Sequence, residues 1–549
     1  MRMSIKYLSA QDDCVVTEYV CIINNKTMKN NFIKALFTGN TQTENGAISN
    51  SSTGNLLLDY FSKAGTYRNR ELEEVFADIS AMWELDPKQA LQIVFYNRMI
   101  SRTAKGFVET ENMQSGQGNK DEFRKCVIWF ARYYPEVINK NLWIVPLVGC
   151  WKDLWHADLI DELDSMAVYA LIKRGIACEY NKELIAKYLP RIRSKSNVYN
   201  DRHKKLNAFA YGLIKYLKWS PIQYRKFKSS GKAHDFQKKM SNGLFTEIDF
   251  NSIPGKALYQ LVNNKGKDSM TTFERHGIDD SYLEWIKQQP VAKFTGYVYE
   301  LMSAVKRNMS LAQKFTVDKQ FDGLIQTAQE AGSITENVWC ALDTSGSMME
   351  KVANTTAYDI CIGLGIYFST LNQGAFKDQV IMFSEESKVK KLAGSFSDKV
   401  IQLTSSETAW GSTNFQSVID EIVRVRLTNP DVPISDFPST LLVVSDMQFN
   451  PTSGNTKTNY KQAMRKLAQV GLPNIRIVWW WVTGRATDFP STIDDKNVIM
   501  IGGFDGSILS LLLNEEVKQA GLAKTNKYNG PYEAMQKALN QEVLELIQL

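Results

Sequence analysis

Hydrophobic positions along this chain follow two rhythms, and the change comes near residue 335. Between residues 52 and 330 apolar side chains recur at helical spacing, as in Ala81-Met82-Trp83, in Ala90, Leu91, Val94 and Phe95, and in Phe123, Cys126, Val127, Phe130 and Ala131. Such spacing lines one side of a helix. Proline is sparse and falls between these stretches, at Pro87, Pro135, Pro146, Pro190 and Pro221, outside the helix interiors it would break. The pattern predicts an all-α module of short helices joined by polar loops, stacked in the manner of a helical repeat.

Beyond residue 335, short continuous apolar runs alternate with helical stretches. Strands are predicted at 337–343, 378–384, 387–392, 439–446, 474–483 and 497–502, and helices at 352–370, 414–427, 457–470, 505–514 and 530–547. Apolar strands separated by helices predict an α/β, doubly wound, mostly parallel sheet covered on both faces. The 378–392 pair reads as an edge hairpin turning at Glu385-Glu386-Ser387. Trp479-Trp480-Trp481 reads as a buried strand whose rings cap the sheet or seal a domain boundary. The expected organisation is multidomain: an unassigned extension at 1–50, a helical module at 51–332 and an α/β domain at 333–549.

The bulk numbers narrow this picture. A chain of 549 residues exceeds what one core usually serves. No apolar run reaches the roughly 18 residues of a membrane span, and the stretch from Cys14 to Ile23 is broken by Thr17 and Glu18, a poor leader. The seven cysteines, at 14, 21, 126, 150, 178, 340 and 361, form no CxxC pair. They read as reduced thiols, and the expected location is cytoplasmic.

Charge adds an asymmetry. Net charge is only +6, yet residues 181–240 hold 16 Lys and Arg against 3 Asp and Glu, while residues from 331 onward hold 19 against 23. A basic segment this local is the footprint of a polyanion site. Its candidate phosphate contacts are Arg191, Arg193, Lys195, Arg202, Lys204, Lys205, Arg225, Lys226, Lys228, Lys232, Lys238 and Lys239. Tyr188, Tyr199, Phe209, Tyr211, Tyr216, Trp219, Tyr224 and Phe227 interleave with them. Exposed rings there would stack unpaired bases; rings on the apolar side of a 211–219 helix would pack instead.

The sharpest chemical signal is Asp343-Thr344-Ser345-Gly346-Ser347, directly after the run Val338-Trp339-Cys340-Ala341-Leu342. A strand delivers a carboxylate and two hydroxyls into one tight turn. Oxygen donors of this kind suit a hard divalent cation, and open α/β sheets place ligands at the carboxyl ends of their strands. Thr413, in Gly411-Ser412-Thr413-Asn414-Phe415, offers another hydroxyl. Asp446 ends the run Leu441-Leu442-Val443-Val444-Ser445. The ordered set Asp343, Ser345, Ser347, Thr413 and Asp446 resembles the metal-ion-dependent adhesion site of von Willebrand factor A domains. The resemblance implies Mg²⁺ or Mn²⁺ with an open coordination position that a partner's carboxylate completes. The four histidines, His156, His203, His234 and His276, are all remote from this set in sequence. No general base accompanies it, so no enzyme is expected. Gly116-x-Gly118 lacks the GxxxxGK[ST] pattern of a phosphate loop.

Further segments resemble the Ro-type (TROVE-module) RNA-binding proteins. They are Gly54 to Leu58, Arg68-Asn69-Arg70, Gly116-Gln117-Gly118-Asn119-Lys120 and Pro146 to Leu154. Tyr188-Leu189-Pro190-Arg191, Tyr224-Arg225-Lys226, Ile248 to Ala257 and Ser445 to Phe449 resemble a poorly characterised plant, bacterial and viral branch of that group. The resemblance implies a helical ring closed by a von Willebrand A domain, with small structured or misfolded RNA on a basic outer surface. The function expected is non-enzymatic RNA binding, as a monomer or within a larger ribonucleoprotein, with an acidic protein group as partner at the metal. The alternative is a metal-dependent protein-interaction scaffold without RNA.

Overall fold

The computed structural model describes residues 39–194, 199–231, 234–306, 309–331, 337–405, 411–508 and 530–549. It opens on a small antiparallel hairpin, β1 (Asn40–Gln42) and β2 (Ile48–Asn50). A long helical stretch follows, from Leu56–Ala64 through Leu72–Leu85, Pro87–Arg98 and Lys120–Tyr133 to Val298–Val305 and Leu311–Ala331. Local signals set many helix starts: Asn55, Asp86, Asn119 and Asn200 each accept a backbone N–H two or three positions into the helix that follows, which satisfies an otherwise orphaned donor.

The carboxy-terminal part is a six-stranded sheet. Its strands are β3 (Val338–Asp343), β6 (Gln379–Phe383), β7 (Ser387–Lys391), β8 (Thr440–Ser445), β9 (Arg476–Trp481) and β10 (Val498–Gly502); a short ladder of β4 (Lys351–Val352) and β5 (Thr355–Thr356) lies apart from it. The order is β10-β9-β8-β3-β6-β7. All neighbours are parallel except the edge strand β7, which runs antiparallel to β6. From β3 the chain builds outward through β6 and β7, then returns to the other side of β3 with β8. The order therefore reverses between β3 and β8, the position beyond whose carboxyl ends open α/β sheets place their ligands.

The Ala357–Leu371 helix is buried along nearly its whole length, as an all-round apolar helix must be. It lies between β3 and the Val298–Val305 helix. Gly365 makes that fit, since a Cβ there would stand 2.5 Å from the Leu342 side chain. The three tryptophans of β9 are fully buried. Trp480 packs on Phe368, Trp479 on Phe415 and Phe449, and Trp481 on Phe489 beside Lys63 of the Leu56–Ala64 helix. They serve both as sheet core and as part of the seam with the helical stretch.

Both ends of the helical stretch meet the α/β part. At its start, Leu56–Ala64 packs on β10, and the Pro531–Leu539 helix packs on Leu56–Ala64 and Pro87–Arg98. At its end, Leu311–Ala331 meets the Phe396–Thr404 helix, where Asp318 accepts the Ser397 N–H at 2.8 Å and its hydroxyl at 3.0 Å. Buried side chains between Phe236 and Ala292, among them Ile253, Val262, Phe273 and Tyr282, form a small hydrophobic cluster of their own. Among the described residues no helix is long and apolar enough to cross a membrane.

Candidate metal centre and basic face

Asp343 is the last residue of β3 and fully buried. Two donors fix its carboxylate: the Ser345 N–H on Oδ1 at 2.9 Å and the Ser445 hydroxyl on Oδ2 at 2.5 Å. The chain then turns into a short 3-10 segment, Gly346–Met349. That turn brings the Ser345 and Ser347 hydroxyls 3.1 Å apart. Asp446 follows β8 and is buried; its carboxylate accepts from Ser347 and, at 3.1 Å, from the Gln448 N–H. Thr413 is buried on a loop that touches the same turn, where the Gly346 N–H donates to the Gly411 carbonyl at 3.3 Å. The five residues singled out in the sequence thus lie together beyond the carboxyl ends of β3 and β8.

The donor set is all oxygen, with two carboxylates. Burial raises the proton affinity of both, and for Asp343 the negative charge of Asp446 adds to it. Two buried carboxylates side by side are costly unless a proton or a cation offsets them. The set fits a hard divalent ion. Among the described residues there is no group of three or more His, Cys, Asp and Glu placed to hold a metal, so an ion here would depend on the hydroxyls.

Several contributors escaped the sequence reading. Ser445 orients Asp343 through its hydroxyl and accepts the Met447 N–H at 2.8 Å. Gln448 accepts the Glu44 N–H at 2.6 Å, donates to Asp488 at 3.0 Å, and receives Asn45 Nδ2 on its carbonyl at 2.5 Å. Asn45 Nδ2 also reaches Thr413 Oγ1 at 3.4 Å. Glu44 pairs with Arg485 at 3.0 Å. The β1–β2 turn therefore lies at the rim of the centre. Its Asn45-Gly46 dipeptide, with Gly46 at φ +86°, is a hairpin signal that could have been read. A cavity of about 1210 Å³ adjoins this rim, between the helical and α/β parts; Tyr67, Arg68, Arg70, Glu350 and Arg485 line it.

The basic residues are less concentrated. Lys195 and Lys232 lie outside the described residues. Arg202, Lys204 and Lys205 sit on the Asp201–Leu217 helix; Lys204 pairs with Asp201 at 3.3 Å and Lys205 with Asp161 at 2.6 Å. Lys226 and Lys228 belong to Pro221–Ser230, where Lys228 donates to the Lys187 carbonyl at 3.2 Å. Lys238 and Lys239 lie on Asp235–Ser241, and Lys239 pairs with Asp235 at 3.0 Å. Arg191, Arg193 and Arg225 do come together, around a pocket of about 460 Å³ with Tyr211. Tyr211 is half exposed; Phe209 and Tyr224 are buried, and Tyr224 donates to the Pro190 carbonyl at 2.8 Å.

The short helical-module segments are mostly joints. Asp153 is fully buried against Arg98 at 2.7 Å, with Arg124 at 3.3 Å. Arg102 donates to the Gly149 carbonyl at 2.7 Å. Asn119 caps the Lys120–Tyr133 helix and donates to the Tyr67 carbonyl at 2.9 Å. The Asn119 contacts, with the Gly118 N–H donating to the Met99 carbonyl at 2.8 Å, engage the Gly116–Lys120 segment in packing rather than leaving it open to a phosphate.

Residues 338–545 match a domain of unknown function, DUF7788, and residues 43–184 match another, DUF2828. Over 515 residues the chain is 23% identical to the uncharacterized protein L728 of Acanthamoeba polyphaga mimivirus, covering 86% of this chain and 84% of that protein. Among solved structures it is similar to the crystal structure of the Deinococcus radiodurans RO (RSR) protein, with a TM-score of 0.38 and 11% sequence identity over 84% of this chain and 98% of that chain.

Proposed function

We propose that this chain is a non-enzymatic binding protein of the Ro type, whose α/β part is a von Willebrand A-like domain that holds Mg²⁺ or Mn²⁺ and presents it to a carboxylate. One observation carries this reading: Asp343, Ser345, Ser347, Thr413 and Asp446 converge at the point where the strand order reverses. Asp343, Ser345 and Ser347 would offer oxygens from the turn after β3, and Thr413 and Asp446 from two neighbouring loops. A bound ion would supply a Lewis-acidic position for an anionic oxygen. Ser445 and the Ser345 N–H hold Asp343 facing that position. The described histidines all belong to the helical stretch, which favours binding over hydrolysis. The test is Mn²⁺ titration followed by electron paramagnetic resonance. Wild type should take up one ion and Asp446→Ala none; a wild type that takes up none removes the reading.

A second reading adds RNA on the helical face. The observation favouring it is the pocket where Arg191, Arg193 and Arg225 meet the half-exposed Tyr211 ring, a pairing of phosphate-neutralising and base-stacking groups. The contact of both ends of the helical stretch with the α/β part supports a closed ring of proposed modules 51–332 and 333–549. Small RNA should co-purify with wild type and be lost from Arg191→Glu/Arg193→Glu/Arg225→Glu. It should withstand chelator and weaken steeply with salt. Preparations free of nucleic acid at low salt would leave the metal-dependent scaffold as the sole function.

A further inference from the structure

The turn between β1 and β2 lies more than 400 residues from Gln448 in sequence, yet it is pinned beside the candidate metal centre. Thr43 Oγ1 donates to the Phe449 carbonyl at 2.7 Å, and Ser49 Oγ to Asp488 at 2.6 Å. Asn50 and Phe489 exchange two backbone hydrogen bonds, at 2.9 and 2.8 Å. These anchors leave the tip, Glu44 and Asn45, held directly over the rim. Asn45 touches one candidate ligand, Thr413. Glu44 is joined by its N–H to Gln448, whose own N–H donates to another candidate ligand, Asp446.

Glu44 is thus an anionic side chain carried to a site that, on the reading above, leaves a position open for a carboxylate. Its sole ion-pair partner among the described residues is Arg485, and the two side chains are 49% and 58% exposed. So exposed a pair constrains its members weakly, and the Glu44 side chain is free to turn while its backbone stays fixed. Both charges are felt at Asp446, with opposite signs.

We propose that Glu44 is the chain's own ligand for this centre, an inference that rests on the metal reading. When the ion binds, the Glu44 carboxylate leaves Arg485 and takes the open position. The β1–β2 hairpin then locks onto the α/β part, and an external carboxylate must displace an internal one. Tethered by a fixed backbone, Glu44 acts at an effective concentration of roughly millimolar or higher, so isolated carboxylates do not compete and a multivalent acidic partner does.

The experiment uses full-length protein and Mn²⁺, reading affinity by electron paramagnetic resonance and metal-bound water by proton relaxation. Glu44→Gln keeps every backbone contact of the hairpin. It should weaken Mn²⁺ binding by about tenfold and raise relaxation as water enters the vacated position. Glu44→Ala should do the same. Arg485→Ala should tighten binding by releasing Glu44, and this gain should vanish in the Glu44→Ala background, as coupled positions require. Wild-type affinity and relaxation in both Glu44 variants would overturn the proposal and leave the metal reading intact. An Arg485→Ala gain that persists without Glu44 would overturn it too, since the arginine would then act by charge alone. Failure of wild type to bind Mn²⁺ would end both readings.

Discussion

The oxygen centre and the basic face were both visible in the sequence, the first as the sharper signal, and the structure treats them very differently. At the centre, four of the five donors are buried; Asp343 and Asp446 stand at strand ends, Ser345 and Ser347 bond to each other, and the Thr413 loop touches their turn. On the basic face the charges spread over three helices, and Lys204, Lys205 and Lys239 already have aspartates. Arg191, Arg193 and Arg225 gather around one pocket, and Arg191 and Lys238 around another. The difference is one of cost. A buried carboxylate without a partner is expensive, so buried oxygens that cluster need a reason to do so. A surface lysine costs almost nothing wherever it stands, so a count of charges overstates a site.

That contrast can be broken most sharply at Asp343. Asp343→Ala should lower Mn²⁺ affinity by roughly 100-fold or more and leave RNA binding untouched; joint loss of both would show the two regions to be one site. Arg191→Glu/Arg193→Glu/Arg225→Glu should reduce the slope of log affinity against log salt by about 2, near 0.7 per single-strand phosphate, with Mn²⁺ binding unchanged. An unaltered slope would move the polyanion surface elsewhere.

Proton competition gives a smaller effect. Asp343 is pushed up to about 7 by burial and by Asp446. Its folded value lies above its unfolded one, so without metal it adds stability at low pH, and that contribution fades as pH rises through about 7. A cation needs the deprotonated form. Mn²⁺ affinity should therefore fall by up to about tenfold per pH unit below 7, and chelated protein should lose less stability than loaded protein between pH 8 and 6. Parallel melts at the two pH values check this. The smallest effect is at Thr413: Thr413→Val should cost about tenfold in Mn²⁺ affinity and Thr413→Ser little, because only the hydroxyl is needed.

Much of the α/β part was legible because a buried strand is written as a local apolar run. The runs at 337–343, 439–446 and 474–483 correspond to Val338–Asp343, Thr440–Ser445 and Arg476–Trp481, and the 378–392 hairpin is the antiparallel edge. Boundaries shifted where local pairing intervened. The helix expected from 352 starts at Ala357 because residues 351–356 form β4 and β5. The stretch expected at 530–547 divides into Pro531–Leu539 and Glu542–Glu545. The Phe396–Thr404 helix was passed over although Ser395 and Asp398 form a capping box at its start, a readable signal. Part of the helix expected at 505–514, and the first 38 residues, lie outside the described residues. Asp343, Ser345 and Ser347 announced themselves through spacing within a turn, and Asp446 by ending an apolar run. Glu44, Asn45 and Arg485 did not, because nothing local in a sequence says which distant loop will meet which.

The chain's last residues carry a different lesson, about the order of events in folding. Lys140 donates to the Leu549 carbonyl at 2.8 Å and Asn141 to that of Gln548 at 2.6 Å, while Gln541 receives the Ser115 N–H at 2.7 Å. These partners are separated by more than 400 positions. Closing so large a loop costs little more than closing a modest one, since each doubling of length adds only about 0.6 kcal/mol, but the search is slow. Helices made early on the ribosome must therefore wait, with the surface around residues 88–141 uncovered, until residues 541–549 emerge to cover it.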